Sequence, residues 1–399
     1  RQGGTDKETE TQVQQRAPYA YTAQNRAITK SDYETLLIKD YNNIESVSVW
    51  GGEENDPIVY GKVYISLKTK DYYALSLIEK ENIKQNLITN RNVLTVIPEI
   101  VDPDYVFVMV HGTVKYNPRK TTKTANEILS LVRTAIDQYA SDSLNTFSSV
   151  FRKSKLQGYI ESADPSITGS DIVIYLQRKQ DITNNMTKNY TINFNTSLSK
   201  GDLKHKLYSF PQLTVSDSNN NSRNVFLEEV PESLTGVSSI SIINQGTNYT
   251  EIPSVTITGD GTGATAAAHV VNGKVTRIII TNPGYNYTRA TVSINGVGTG
   301  ATAQALIDAN FGTLRTYYFK SNGEKVIVNN NAGTVDYAAG KINLNSLLTS
   351  AVVKNDFYED NVLTISAVPD NEIIEPLRNR ILTIDPNNAQ SIQLELVAE

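Results

Sequence analysis

The alternation of hydrophobic and polar positions in residues 25–57 predicts a helix, a strand and a turn in succession. Residues 44–50 alternate β-branched with polar side chains, which is the pattern of a half-buried strand. The pair Gly51-Gly52 that follows predicts a tight turn. The helix is predicted from large side chains that recur at helical spacing on one face: Tyr33, Leu36, Leu37 and Tyr41.

Two residue pairs could begin this helix. Ser31 and Glu34 have the spacing of a capping box, in which each side chain bonds the other residue's backbone N–H group. Thr29 and Asp32 offer the same spacing earlier in the chain. Either pair would satisfy N–H groups that have no partner in a first helical turn, and the sequence leaves both open.

Three further elements complete a first module. Residues 58–68 predict a second strand, and residues 92–98 predict a short buried one. Residues 75–88 between them predict a helix from these apolar positions: Leu75, Ile78, Leu87 and Ile88. This order of elements predicts a small α+β sandwich with helices on one face of an antiparallel sheet.

Residues 99–182 predict a second module. A long strand at 105–116 places its valines on one face. The best-defined helix covers residues 121–139, with Thr124 and Glu127 as a capping box. A strand at 171–180 ends the module. Between helix and strand, Leu144, Phe147 and Phe151 predict a second helix, and residues 155–161 predict a short third one.

The C-terminal part has strand patterns and turn signals. Asn322-Gly323 between two short apolar runs predicts a hairpin. Residues 332–344 predict two more strands, and the alternating residues at the end of 385–399 predict an edge strand. Tyr190, Ile192 and Phe194 alternate as a strand. We expect residues 204–229 to pair with residues 309–399, so that the segment between them sits on a hairpin of an existing domain.

Residues 235–308 contain an internal repeat. VSSISIINQGTNYT (237–250) matches VTRIIITNPGYNYT (275–288), and GTGATAAAHVV (261–271) matches GTGATAQALI (298–307). A single copy cannot bury its own apolar face, so the two copies are expected to pack into one small β-domain. The Gly-rich segments lack the GK[ST] ending of phosphate loops and predict tight β-turns.

Composition excludes several classes of protein. The 399 residues contain no cysteine, which rules out disulfide frameworks, thiolate zinc sites and cysteine nucleophiles. The formal charge of −5 implies no basic surface for nucleic acid. No apolar run approaches the length of a membrane span. Tyrosine is frequent, at 22 residues against 9 phenylalanines, and is interpreted mainly as half-buried strand residues.

Candidate chemical groups are scattered. Neither His111, His205 nor His269 has a second ligand at metal spacing, so each is interpreted as structural. Acidic side chains near turns could bind a cation, but solvated turns explain them better: Glu53, Glu54, Asp56, Asp102 and Asp104.

Three aromatic residues are candidates for contact with a partner. Tyr249 and Tyr287 occupy matching repeat positions, where they form a candidate interface or sugar-stacking pair. Packing between the two copies is the favoured interpretation. Trp50, the single tryptophan, fits either an interface anchor or a core position against the first helix.

Residues 25–68 also resemble a known family. They include NRAITKSDYETLL and VSVWGGEENDPIVYGKVYISLK, which are similar to the baseplate-J-like family and, within it, to baseplate wedge subunits of T-even-type contractile-tail phages. The segments VDPDYVFV, VKYNPRKTT and FSSVFRKSKLQGYIESADPSI extend this resemblance to residue 182. The residues that carry the motif are Asn25, Arg26, Asp32, Tyr33, Trp50, Gly51, Gly52, Pro57 and Gly61.

Together these features predict an α+β protein of several small modules with antiparallel or mixed sheets, flanking helices and an inserted all-β repeat domain. The expected boundaries are 1–24 for the end of a preceding region, 25–98 and 99–182 for two α+β modules, 183–234 with 309–399 for a β-rich C-terminal domain, and 235–308 for the insert. Because the chain begins at Arg1, we expect a C-terminal fragment. The insert resembles repeats in structural proteins of marine cyanophages, which favours a myovirus of that type.

The resemblance implies a structural subunit of the virion's tail baseplate, assembled in the host cytoplasm, and not an enzyme. Such subunits dimerise, link wedges into an inner ring around the tail hub, and relay baseplate rearrangement to sheath contraction. The implied partners are a second copy of the chain and other wedge proteins, without nucleic acid, membrane or cofactor. Two alternatives stay open, namely a host-surface or glycan-binding module in residues 235–308 and a tail-associated hydrolase.

Overall fold

The computed structural model of the chain describes residues 26–55, 57–70, 75–91, 96–200, 207–217, 219–230, 236–308, 311–354, 360–385, 388 and 390–399. Over these ranges the protein is a mixed α+β structure with four α-helices and several sheets, as the sequence predicts. Helices in the described part of the chain are too short or too polar to cross a membrane. The motif residue Asn25 lies outside the described residues.

The first unit is a three-stranded sheet covered by two helices. Its elements are α1 (Lys30–Asp40), β1 (Ile44–Gly51), β2 (Lys62–Thr69), α2 (Leu77–Asn90) and β3 (Ile97–Val101). Strands β1 and β2 are antiparallel, whereas β2 and β3 are parallel. The sheet is therefore mixed, and the prediction of an antiparallel sheet was wrong for its third strand. A separate core of this unit joins the helices to one sheet face.

Two predicted features of this unit need correction. Residues 58–61 precede β2 and do not extend it, because Gly61 adopts a left-handed φ of +77° that ends the turn. Ile78 is 75% exposed, so it does not belong to the buried face of α2, which is formed by Ile83 and Leu87. The helix nevertheless begins with a capping box, formed by Ser76 with Glu79.

The next elements alternate strands and helices. They are β4 (Asp104–Tyr116), α3 (Ala125–Ser143), β5 (Phe151–Arg152), α4 (Lys153–Ser162) and β6 (Ile167–Asp181). The capping box of Thr124 and Glu127 begins α3 as predicted. The helix predicted from Leu144, Phe147 and Phe151 is absent. Asn145 and Ser148 both adopt a φ of +69°, a left-handed conformation that an α-helix cannot contain.

The remaining described elements are strands. Before the insert lie β7 (Lys188–Asn193), β8 (Tyr208–Phe210), β9 (Leu213–Ser216) and β10 (Ser222–Glu229). After it lie β17 (Phe311–Phe319), β18 (Lys325–Asp336), β19 (Lys341–Leu347), β20 (Ala351–Val352), β21 (Val362–Ala367), β22 (Ile373–Ile374), β23 (Arg380–Thr383) and β24 (Ile392–Ala398). The hairpin at Asn322-Gly323 is present, and Gly323 has the positive φ that its turn requires.

Most of these strands form one large sheet. Its order is β23-β4-β6-β21-β8-β10-β17-β18-β19-β7, and β24, β9 and β20 pair beside this path. Strand β24 lies parallel to β4 at the edge, which confirms the prediction of a terminal edge strand. One continuous core fills one side of this sheet and includes α3 and α4. The sheet thus joins residues 104–181 to the C-terminal strands.

The insert is a six-stranded antiparallel sheet that is nearly closed into a barrel. Its strands are β11 (Gly236–Thr247), β12 (Ser254–Gly259), β13 (Thr265–Val271), β14 (Lys274–Asn282), β15 (Ala290–Asn295) and β16 (Thr299–Asp308). Their order is β11-β16-β15-β12-β13-β14. The two ends of this order meet where Val237 N donates to Pro283 O at 2.8 Å.

The insert leaves the large sheet between two paired strands. Strands β10 and β17 are antiparallel, with Glu229 opposite Leu314. Beyond that pair, Val230 N donates to Thr313 O at 3.0 Å. The sequence prediction that the insert sits on a hairpin of an existing sheet is therefore confirmed.

Candidate functional site: motif turn, sheet clasp and repeat insert

The start of α1 is organised by Thr29 and the motif residue Asp32. Thr29 is the N-cap, and the carboxylate of Asp32 accepts from Thr29 N at 2.8 Å and Ile28 N at 3.2 Å. The pair of Thr29 and Asp32 is thus the capping box, and the Ser31 alternative is not used. Tyr33 is buried in the core of the first unit, where burial and the nearby Asp32 charge raise its pKa.

The acidic turn after β1 is a packed structure. Lys30 Nζ lies 2.6 Å from Glu54 Oε1, and Gly51 N donates to the same oxygen at 3.2 Å. The hydrogen bond from Lys30 is the main reason that the pKa of Glu54 is lowered. Any Cβ atom on Gly52 would overlap the carbonyl oxygen of Val59, so this position requires glycine. Asp56 lies outside the described residues.

Trp50 is buried, but not against α1. Its neighbours Val47 and Val49 face the helix core, and alternation puts Trp50 on the other face of β1. There its ring stacks on Tyr64 with centroids 5.8 Å apart, and Nε1 donates to Asn55 Oδ1 at 2.9 Å. Of the two alternatives for Trp50, a core position against the first helix is therefore not the one that the structure shows.

This second face of β1 contacts the rest of the protein. Ser48 Oγ donates to Arg378 O at 2.8 Å, and Phe147 N donates to Ser46 Oγ at 3.3 Å. The guanidinium of Arg378 donates to the carbonyl oxygen of Glu54 in the acidic turn. Strand β1 and the acidic turn therefore hold the first unit against the rest of the chain.

The remaining motif residues lie at the surface. Arg26 and Pro57 are exposed, and Gly61 O accepts from Ile97 N at 2.9 Å. Three large apolar side chains close to them in the chain or in the strand pairing are exposed, and we term these residues the Tyr60 patch. It consists of Ile58, Tyr60 and Ile97, which are 54%, 80% and 53% exposed. Grouped exposed apolar side chains of this kind mark interaction surfaces.

Sequence reasoning missed a largely buried ionic cluster, which we term the sheet clasp. The interpretation of Asp104 as a solvated turn residue was wrong, because this residue begins β4 and pairs with two arginines. Arg380 on β23 lies 3.0 Å from Asp104 on β4, whose carboxylate also lies 2.5 Å from Arg178 on β6. Arg380 further donates to the carbonyl oxygens of Asn193 at 3.1 Å and Phe194 at 2.6 Å, at the end of β7. Since β23 and β7 are the first and last strands of the sheet order, the clasp joins its two ends.

Burial and charge in the clasp have opposite effects on Arg380. The side chain is almost fully buried, which lowers its pKa, while the Asp104 carboxylate acts in the other direction. Arginine stays charged in proteins even so. The cluster therefore positions strands.

Two buried carboxylates anchor the root of the insert. Glu228 is paired with Arg315 at 2.8 Å and with Lys325 at 2.5 Å. Glu229 accepts from the Tyr337 hydroxyl and from Leu207 N. Burial, followed by the charge of Glu229, raises the pKa of Tyr337. No sequence pattern marks either glutamate, because their side-chain partners Arg315, Lys325 and Tyr337 are more than 80 positions away.

The other predicted candidates do not converge. His111 is half-buried with Nε2 3.2 Å from Gln390 O, and burial lowers its pKa. His269 lies at the surface of the insert, and His205 lies outside the described residues. Asp102 is paired with Lys80 at 2.6 Å. The described part of the chain contains no group of three side chains that could hold a metal ion.

Tyr249 and Tyr287 lie in the core of the insert, at 3% and 2% exposure. The ring of Tyr249 packs against Gly298 of the second copy, and the ring of Tyr287 packs against Gly261 of the first. A Cβ on either glycine would overlap the ring. Each copy of the repeat thus packs its tyrosine against a glycine of the other copy. Packing between copies is the interpretation that the structure supports, and an exposed stacking pair does not fit.

The groups in these sites make structural contacts within the protein. Its perturbed groups are caps, ion pairs and clasps that hold units together, and the described residues bring no candidate catalytic groups into one place. Residues 29–101 match the family model for "Baseplate structural protein gp6, C-terminal domain I", and residues 104–179 match "C-terminal domain III" of the same protein. Over these residues the chain is similar to gp6 baseplate structural proteins, which agrees with the resemblance that the motif carries.

Individual relatives agree with this assignment. Over 209 residues the chain is 25% identical to the baseplate wedge protein gp6 of Enterobacteria phage T4, and the match covers 52% of the chain. The matched part is 31% of the T4 protein, so the chain spans about a third of that relative's length. A cryo-EM structure of the anti-feeding prophage baseplate, 6-fold symmetrised, matches with 19% identity and a TM-score of 0.34 over 43% of this chain and 38% of that one. That TM-score is too low for a conclusion.

Proposed function

We propose that the chain is the part of a phage baseplate wedge subunit that dimerises and links neighbouring wedges into an inner ring around the tail hub. In the virion it relays baseplate rearrangement to sheath contraction. The observation that carries this proposal is the succession of two gp6 C-terminal domain matches over residues 29–101 and 104–179. Its partners are a second copy of the chain and other baseplate wedge proteins.

The geometry of the first unit supports this role. Ser48 on β1 and Glu54 in the acidic turn hold this unit to Arg378, which precedes β23, so movement at the unit's surface is passed to the sheet through defined contacts. The Tyr60 patch is the surface on which we place the contact with a neighbouring chain. Its three apolar side chains lie next to motif residues Pro57 and Gly61, on the edge strand side of the unit.

The mass of the purified chain in solution, measured by light scattering across a concentration series, tests dimerisation. We expect a dimer, and we expect Tyr60→Ser to raise its dissociation constant at least tenfold. The reason is that a buried aromatic anchor contributes about 2 kcal/mol or more at an interface. Phe319→Ser is the control, since Phe319 is another exposed aromatic residue, at 54% against 80% for Tyr60, and lies on β17 of the large sheet. If the chain stays monomeric at high concentration, this region does not mediate dimerisation.

A further inference from the structure

A cleft of about 550 Å³ lies where the insert meets the large sheet. One of its walls is formed by β7 and β19, and the other by β11 and β14. Its volume falls within the range of small-molecule sites, which is about 300–1,000 Å³. The insert and the sheet each contribute one wall, so the cleft exists only because the insert is present.

The sheet wall is built from amides and hydroxyls. Tyr190 and Leu344 point into the core, so their neighbours Thr191 and Asn343 point out of the sheet towards the cleft. Thr191 Oγ1 donates to Asn343 Oδ1 at 2.9 Å, which orients the amide and does not use its nitrogen as a donor. Asn189 is oriented similarly, because its Oδ1 accepts from Ser346 N at 2.6 Å.

The insert wall adds one cation and one apolar side chain. Arg277 and Ile279 lie on the outward face of β14, since Ile278 between them is buried. Among the residues the structure describes, Arg277 forms no ion pair with a carboxylate. The described residues that line the cleft include no Asp or Glu. The guanidinium is thus the main charge in a site that otherwise offers neutral hydrogen-bonding groups.

We propose that this cleft binds a saccharide that carries a carboxylate. Arginine binds carboxylates through two parallel N–H donors. The amide and hydroxyl groups of the sheet wall can donate to and accept from ring hydroxyls. Ile279 supplies apolar contact for the C–H side of a sugar ring. This proposal does not depend on the role in the wedge, because it concerns only the insert and the wall it faces.

Ligand-observed NMR titration of the full chain with three probes tests the proposal. D-glucuronic acid carries both features, D-glucose has the ring without the carboxylate, and acetate has the carboxylate without the ring. We expect glucuronate to bind at least about tenfold more tightly than either of the others. Glucose lacks the charge-assisted hydrogen bonds to Arg277, and acetate lacks the ring hydroxyls that bond the sheet wall. Equal binding of acetate would mean a simple anion site and would overturn the proposal, as would no binding of glucuronate.

Two variants locate the site. Arg277→Ala should weaken glucuronate binding about tenfold or more. Asn343→Asp should also weaken it, because the new carboxylate repels that of the sugar while keeping the shape of the amide. Arg289→Ala is the matched control, since it removes the same charge from the insert outside the cleft lining. Unchanged binding in Arg277→Ala, or equal loss in Arg289→Ala, would place the sugar elsewhere and reject this cleft.

Discussion

Arg380 joins the two ends of the large sheet through Phe194, whose carbonyl oxygen accepts a 2.6 Å hydrogen bond from the Nη1 atom of Arg380. Arg380 lies on the first strand of the sheet order, and Phe194 directly follows the last one. A twisted sheet of this size would otherwise leave edges with unpaired backbone groups. The clasp satisfies carbonyls of one edge with a side chain from the other.

Replacement of the clasp arginine should destabilise the protein. Arg380→Met keeps an apolar stem but leaves two carbonyl oxygens without their donor and removes one of the two arginines from Asp104. We expect the free energy of unfolding in urea to fall by about 3 kcal/mol. Arg119→Met is the control at an exposed position and should change it by less than about 0.5 kcal/mol. A similar change in the two variants would show that the clasp contributes little.

The clasp also shows where sequence information ends. Helix α3 could be predicted because its capping box and its apolar face are local patterns. The hydrogen-bond partners of the Arg380 side chain are 186 or more positions away, so no local pattern marks it. The helix that was wrongly predicted after residue 143 fails for a local reason instead. Its apolar spacing is real, but Asn145 donates to Ala140 O at 3.1 Å and ends α3 there.

The candidate site was predictable to a similar extent. The repeat alone predicted that two copies share one core, since each copy lacks a second layer. The exchange of Tyr249 and Tyr287 between the copies follows from strand order, which the sequence does not specify. The cleft beside Arg277 also depends on how the insert sits on the sheet. Neither could be found without the tertiary structure.

Asp164 gives the protein a pH-dependent contribution to stability. Lys123 Nζ lies 2.5 Å from this carboxylate, and Ser166 donates to it from Oγ at 2.7 Å and from N at 2.9 Å. These donors, with Lys123 first, lower the pKa of Asp164 to about 2. In the unfolded chain an aspartate has a pKa of about 3.9. The unfolded state therefore takes up a proton first on acidification, and stability falls between about pH 4 and pH 2.

The prediction for Asp164→Asn follows from this sign. The native protein should exceed the variant in free energy of unfolding by a constant amount above about pH 5, and the difference should shrink as the pH falls towards 2. Urea denaturation across this pH range measures it. Ser166→Ala should reduce the same slope, because it removes one donor to the carboxylate. If the free energy of unfolding depends on pH in the same way for the native protein and for Asp164→Asn, the lowered pKa of Asp164 is contradicted.

The packing of each tyrosine against a glycine of the other copy predicts which glycines of the protein can be replaced by alanine. Gly298→Ala and Gly261→Ala each place a Cβ into a tyrosine ring, and we expect each to lower the free energy of unfolding by about 1–3 kcal/mol. Gly158→Ala is the control. Its Cβ meets no atom within 4 Å in helix α4, so this variant should be stabilised by about 0.5–1 kcal/mol. Thermal unfolding followed by circular dichroism compares all three, and a harmless Gly298→Ala would contradict the packing.

Excision of the insert should leave the rest of the protein folded. Strands β10 and β17 already pair antiparallel up to Glu229 and Leu314, and Val230 and Thr313 add a hydrogen bond of 3.0 Å beyond them. A short Asn-Gly turn in place of residues 231–312 can therefore close an ordinary hairpin. We expect cooperative unfolding and the same oligomeric mass in light scattering as for the full chain, because the Tyr60 patch lies on the first unit. Loss of the cooperative transition would show that the insert is part of the large sheet's folding unit, and loss of the oligomer alone would place the subunit contact on the insert.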